Sequence, residues 1–401
     1  MSEETKKKFW QRRSKPDEAL DALTVDEDRK LVIKELEQTK EFVTELTGDD
    51  FKEGKWFEKL LFTALANYAT KVDAEFFRNK YPDLPFDAIV DMRIQMAARY
   101  ASIEGALSSF AYTGAVSATI GSLGGASPIT LGASVVSFLT DMVYTTQLQL
   151  KTTYDISVLY GVPLNIDDPD DMWKLVKIAL GIKAGEASTI AITKSAPEIV
   201  RKLLKTYYSR SVLAAARGLP AVGKYLLQRN VIKFAIPIVG VPATTAANYW
   251  TTKFSGIHAK KLLRHEVKIA EAANKIAADT TDLGAILWLV MLIMKSDAAL
   301  NEDESLFYHY VSKAVRNTGN FKEELNEIQS SLAMDDAKAW SKIADSKEPG
   351  ETLYQAGLVA AAVDGKVTVE KLETLKELAV LLNVTFSEKD AIAYIKHWAK
   401  E

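Results

Sequence analysis

Residues 105–150 read GALSSF AYTGAVSATI GSLGGASPIT LGASVVSFLT DMVYTTQLQL. One charge, Asp141, stands in these 46 positions, and 105–140 carry none. Gly, Ala, Ser and Thr are interspersed with a few large apolar residues, and the run turns at Gly124-Gly125-Ala126-Ser127-Pro128. Ser127 suits a helix cap, and Pro128 the first turn of the helix after it. The stretch therefore predicts a helical hairpin, and with it an all-α chain. Gly114, Ala118 and Ser122 are four apart. They share a helix face on which small side chains let a partner helix approach closely. The arm Gly105–Leu123 reaches the roughly 20 residues of a membrane span but is rather polar for one. Two readings stay open: a hairpin buried in a soluble helical core, or one that enters a bilayer.

Working outward, 401 residues predict two domains and a tail. Net charge is only −3, yet it is unevenly spread. Lys194–Arg264 holds 13 basic residues against one acid, Glu198, whereas Glu266 to the end holds 23 acids against 15 bases, a net of −8. A basic middle is thus joined to an acidic end. There is no cysteine, which excludes disulfides and thiol chemistry and fits a reducing compartment. The charged N-terminus is followed by no apolar run, so a secretory signal is not expected.

The N-terminal residues Lys6, Lys7, Lys8, Trp10, Arg12 and Arg13 place cations around an aromatic, a pattern that can hold to anionic lipid. Residues 1–50 read as a polar extension with sparse apolar positions at Leu31, Ile33, Leu36 and Phe42. From Phe57 the helical period strengthens, with Leu60, Leu61, Ala64, Leu65 and Tyr68 on one stripe. A helix from about Phe86 to Glu104 enters the hairpin, and a long one from Pro128 to Tyr160 leaves it, closed by Gly161. The acidic loop Asp167-Asp168-Pro169-Asp170-Asp171 reads as a cap for the next helix. The second uncharged run, Phe234–Thr252, is interrupted by Pro237, Gly240 and Pro242 and reads as a broken segment flanked by Lys233 and Lys253.

Several features resemble the EcsC family over about residues 55–265. They are the helix with Ala97-Ala98-Arg99 before the Gly-rich hairpin and the helix ending Ile156-Ser157-Val158-Leu159-Tyr160-Gly161. The Asp-Pro-Asp loop follows, then Ile236-Pro237-Ile238-Val239-Gly240 with Asn248-Tyr249. The resemblance implies a bacterial, helical, membrane-associated protein and carries over no catalytic residue. Residues 266–401 resemble a TerB domain, named for tellurite-resistance proteins. Their mark is an internal repeat. Leu289–Met294 leads to Asp297 and then Glu302, Asp303 and Glu304; 67 positions on, Leu358–Val363 leads to Asp364-Gly365 and then Glu370. The resemblance implies a pseudo-twofold helical bundle in which acids follow Asp-Gly. Ala298 replaces the first Gly here, and Lys371 replaces an acid of the second copy.

Two such acidic turns facing each other could hold a divalent cation through carboxylate oxygens, with Asp297, Glu302, Asp364 and Glu370 as ligands. Capping of helix starts explains the same acids without an ion. The histidines His258 and His265 lie among Lys260, Lys261 and Arg264, which disfavours a metal there. No nucleophile elbow, phosphate loop or dinucleotide fingerprint appears. The basic tract, with Arg201, Lys202, Lys205, Arg210, Lys233 and Lys253, could meet nucleic-acid phosphates. Its apolar flanks fit lipid headgroups better. Asp141, alone in its apolar stretch, is expected to be paired, protonated or wet, with Lys233 or Lys253 as partner.

The sequence therefore predicts a polar extension (1–50), an EcsC-like domain (51–265) and a TerB-like bundle (266–401). The expected function is that of a non-catalytic, membrane-associated adaptor or stress-response protein. It would be cytoplasmic, peripheral or partly inserted at the inner face of the membrane. The basic, apolar part would contact an anionic membrane surface, and the acidic bundle a protein partner or a cation. The alternatives are a metal-dependent enzyme acting on lipid and an oligomeric, channel-like assembly.

Overall fold

The computed structural model describes residues 25–108, 133–165, 169–181, 222–223, 226, 241–297, 301–318 and 336–399. Every regular element among them is a helix, so the chain is all-α. No helix among the described residues is long and apolar enough to cross a membrane. The hairpin tip, with Gly114, Ala118, Ser122 and Pro128, lies outside the described residues, as do the N-terminal basic cluster and Arg201, Lys202, Lys205, Arg210 and Lys233. The described residues up to Leu263 belong to one compact unit and those from Arg264 onward to another.

The first unit contains α1 (Val25–Glu45), α2 (Gly48–Glu53), α3 (Lys55–Leu60), a π-helical turn (Leu61–Leu65), α4 (Ala66–Ala69), α5 (Ala74–Lys80), α6 (Phe86–Ser108), α7 (Ala133–Leu159) and α8 (Pro169–Leu180). It also holds the part of α9 (Val241–Asp279) that ends at Leu263. Helix α7 is the centre, packed against α6, α1 and α8. Being surrounded, it is apolar on nearly every side, with Phe138, Leu139, Met142, Val143 and Ile156 buried. Two of its buried hydroxyls are satisfied within the helix, Thr140 donating to Val136 O and Thr146 to Met142 O. Gly161, at φ +73°, closes α7 with the left-handed residue expected of it.

Helix α1 packs on α7 and α6 and so belongs to the first unit. Its inward face is Asp28, Val32, Thr39 and Val43, while Leu31 and Ile33 face out. Because that face mixes polar with apolar residues, the sequence there reads as a solvated extension. Asp28 pairs with Arg99 at 2.5 Å, and Tyr144 OH donates to Glu35 at 2.9 Å. The stripe from Leu60 to Tyr68 is broken by the π-turn, which widens the helix by one residue and lets Leu60, Leu61 and Leu65 all be buried.

A charged group lies in the heart of this unit. Asp155 is fully buried on α7 and accepts from Tyr68 OH at 2.6 Å and from Arg93 Nε at 2.8 Å, with Arg93 Nη2 at 2.7 Å. Burial pushes the Asp155 carboxyl up, against the pull of Arg93. Burial also raises the Tyr68 phenol, and the Asp155 charge adds to that.

The second unit contains the rest of α9, then α10 (Leu283–Lys295), α11 (Glu302–Thr318), α12 (Asp336–Ala344), α13 (Gly350–Ala362), α14 (Val369–Leu381) and α15 (Glu388–Trp398). Residues 283–294 of α10 are all buried, since α13, α12 and α11 pack around it. Helices α10 and α13 are both 13 residues long and begin 67 positions apart. The starts of α11 and α14, Glu302 and Val369, are separated by the same 67. Core positions follow the offset: Ile276 and Ile343, Ile286 and Leu353, and Val311 and Leu378 are buried pairs. Gly357 permits a close approach, for a Cβ there would stand 2.7 Å from Leu378 Cδ2.

Candidate functional site

Two features of the described residues carry chemistry, one on each unit. The first is the outward face of α9 between Val241 and Leu263. The inward face is fixed to its own unit. Asn248 Nδ2 donates to Glu104 Oε2 and to Asp141 Oδ1, both at 2.9 Å. Lys260 reaches Asp91 at 2.7 Å, Thr252, Ala259 and Leu263 are buried, and Gly256 lies flat on Ile94. The outward face is apolar and aromatic. Trp250 is 50% exposed, Phe254 61%, Ile257 47% and Leu262 39%. Positions 250, 254, 257 and 261 are spaced four, three and four apart and so form one stripe. Trp250 stacks on Phe254 at 5.6 Å, and Tyr249 meets Trp250 edge-on at 5.4 Å. The Lys253 ammonium lies over both rings, 5.3 Å from Tyr249 and 5.4 Å from Trp250. Between Val241 and His265 there are four Lys or Arg and no acid.

The second feature is a buried corner where α10, α11, α13 and α14 meet. Asn301 and Glu304 form a reciprocal cap at the start of α11: Glu304 N donates to Asn301 Oδ1 and Asn301 N to Glu304 Oε2, both at 3.0 Å. The equivalent cap on α14, 67 positions later, is Thr368, which accepts from Lys371 N at 3.3 Å. Glu304 and Lys371 are thus the third residues of matching helices, and both side chains turn inward. The Lys371 side chain is fully buried, as is that of Glu304; Asp364 is 3% and Asp297 8% exposed. Lys371 Nζ lies 2.8 Å from Glu304 Oε1, 2.9 Å from Asp364 Oδ1 and 3.6 Å from Asp297 Oδ2. Asn301 Nδ2 donates to Asp364 Oδ2 at 2.7 Å, and Gly365, at φ +68°, turns the chain away behind it. Burial pulls the Lys371 ammonium toward neutrality, but Glu304 and Asp364 outweigh it and hold it above the ordinary lysine range. Burial pushes Glu304 up against the pull of Lys371 and the Asn301 N–H, and the Asp364 charge adds to the rise.

No family model, curated protein or solved structure matches this chain.

The structure brings Asp297 and Asp364 together, as the repeat predicts. Glu302 and Glu370 stay exposed at the first turns of their helices, and Glu304 and Lys371 take the inward places. Position in the helix explains the exchange: Glu302, first in its helix, points about 200° from the inward third residue, and Glu370, second in its own, about 100° from it. Applying the 67-residue offset to Glu304 leads straight to Lys371, so the sequence held the signal. Asp141, buried at 3%, accepts from the Asn248 amide; of the two cations expected beside it, Lys253 donates to Tyr249 OH at 3.2 Å and Lys233 lies outside the described residues. In the acidic loop, Asp171 accepts from Asn165 N at 3.0 Å and Pro169 begins α8. A cleft of about 180 Å³ lined by Glu35, Phe42, Leu60 and Lys151 is smaller than the roughly 300 Å³ at which ligand pockets begin.

Proposed function

We propose that this chain is a non-catalytic adaptor that rests on an anionic membrane surface through the outward face of α9. The observation that carries the reading is the exposed stripe of Trp250, Phe254 and Ile257, continued by Lys261, with Lys253 and the exposed Leu262 beside it. Aromatic rings with an apolar body and a polar edge favour the bilayer interface, and lysines beside them meet lipid phosphates. Four basic residues without one acid give that face the sign anionic lipid attracts. The reading is peripheral: the stripe lies along one helix that is also anchored on its other side. In this reading the first unit is EcsC-like and the second is a TerB-like bundle whose acidic surface takes a protein partner in the cytoplasm. The matched helix starts at a 67-residue offset support the duplicated architecture.

Sedimentation of the full chain with vesicles tests this. Binding to vesicles containing phosphatidylglycerol should exceed binding to pure phosphatidylcholine and should weaken in high salt. The pair Trp250→Ser and Phe254→Ser should cut binding about tenfold with unchanged thermal stability, as expected for exposed side chains. Equal binding to both vesicle types would overturn the electrostatic contact. Unaltered binding by the double variant would overturn the stripe.

A further inference from the structure

A separate inference concerns the buried corner of the second unit. One oxygen from each of Asp297, Glu304 and Asp364 lies within 4.8 Å of the others, the arrangement of an oxygen cage around a cation. We propose that Lys371 is the resident cation of this cage, so that the bundle is closed by its own ammonium and takes a divalent ion there only when Lys371 is removed.

Three observations converge on Lys371. First, its nitrogen lies among the same three carboxylates, at 2.8, 2.9 and 3.6 Å, inside a side chain with no exposure. Second, Glu304 and Asp364, in contact at 2.8 and 2.9 Å, keep the ammonium charged against the cost of its burial. The ammonium is held as a charge among oxygens, much as a metal ion is. Third, Lys371 stands 67 positions after Glu304, at the same place behind a matching cap. The duplicated corner calls for a second glutamate at that position, which would give four inward carboxylates. The change from carboxylate to ammonium alters the local charge by two and supplies from within the chain what a divalent ion would supply from outside.

Geometry separates the two states of the cage. Ammonium contacts of 2.8 Å and longer are wider than the roughly 2.3–2.6 Å at which calcium holds oxygen. A metal would have to draw the carboxylates inward and would meet Lys371 in the same space. The residues present therefore suit lysine and do not suit a divalent ion. The sequence-based ligand set of Asp297, Glu302, Asp364 and Glu370 becomes, on this view, a cage of Asp297, Glu304 and Asp364 around an internal lysine.

Thermal unfolding of the full chain in magnesium, calcium, manganese or zinc chloride, each matched for ionic strength with sodium chloride, tests the assignment. Wild-type Tm should not depend on which salt is present. Lys371→Met should melt lower in ion-free buffer and regain about 5 °C or more with at least one divalent ion at saturating concentration, by mass action. Titration calorimetry should then find one ion per chain, and Asp364→Asn in the same background should abolish it. Lys371→Glu, which restores the glutamate, should depend on the ion more strongly still. Where either variant is unfolded without ions, refolding on adding the ion supports the assignment, and failure to refold with every ion overturns it. A wild-type Tm raised by a divalent ion, with the rise lost in Asp364→Asn, would also overturn it.

Discussion

The buried groups around Asp155 and around Lys371, one on each unit, combine charge in opposite ways. In the first, one carboxylate, Asp155, meets one guanidinium, Arg93, and a phenol, Tyr68, and the charges cancel. In the second, three carboxylates gather around one ammonium. The balanced group should be intolerant of losing any charged member, because each loss strands a partner. The unbalanced cluster has an acid to spare. Charge balance, rather than depth of burial, decides which substitution each core survives.

The largest expected effect breaks the balanced pair. Arg93→Met keeps most of the side-chain bulk but leaves Asp155 buried without its cation. It should cost about 3–5 kcal/mol, read as a lower midpoint in denaturant with similar slope. A loss below about 1 kcal/mol would mean that Tyr68 alone satisfies Asp155. The sharper comparison is Glu304→Gln. Glutamine can keep the cap with Asn301, and the change removes an acid that burial already pushes toward neutrality. Stability should change by no more than about 1 kcal/mol in either direction. A loss matching that of Arg93→Met would show that the second unit needs all three negative charges.

The smallest effect is a surface control. His265 Nε2 lies 3.2 Å from Asp303 Oδ1 in the second unit, and that bond raises the imidazole above its usual range, against a smaller effect of burial. A raised histidine stabilises fully below its unfolded pKa of about 6.5 and loses that contribution as pH rises through the folded value. Both side chains are more than a third exposed, 44% and 38%, so solvent screens the pair. Asp303→Asn should therefore lower stability by no more than about 0.5 kcal/mol at pH 5.5 and leave it unchanged at pH 8.5. Equal effects at both pH values would assign Asp303 to the charge of the helix start instead.

Local rules made much of this fold readable. The all-α class follows from hydrophobic period and from turn residues such as Gly161 and Pro169. The repeat follows from two apolar runs that end in Asp297 and Asp364. What escaped the sequence depends on distance along the chain. Asp155 and Arg93 are 62 residues apart, and nothing near either one announces the other. Asn248 meets Asp141 across 107 positions, and an amide is less conspicuous in a sequence than a lysine. At the acidic corner the right turns were legible but the wrong residues stood out. Glu302 is first in its helix and Glu370 second in its own, whereas the third positions face inward.

The corner also bears on how the two halves of the bundle find their alignment. The facing helices α10 and α13 are lined with Leu, Ala, Val and Ile, side chains that can slide past one another with little penalty. A slip of one helical turn would carry Lys371, together with Asp364, about 5.4 Å from Asp297 and Glu304. Glu304 would then be left in an apolar interior without the ammonium it contacts now, an arrangement far costlier than imperfect apolar contact. The ammonium thereby acts as a registration mark. It adds little to the gross attraction between the halves, but it singles out one docking among several that greasy surfaces alone would accept.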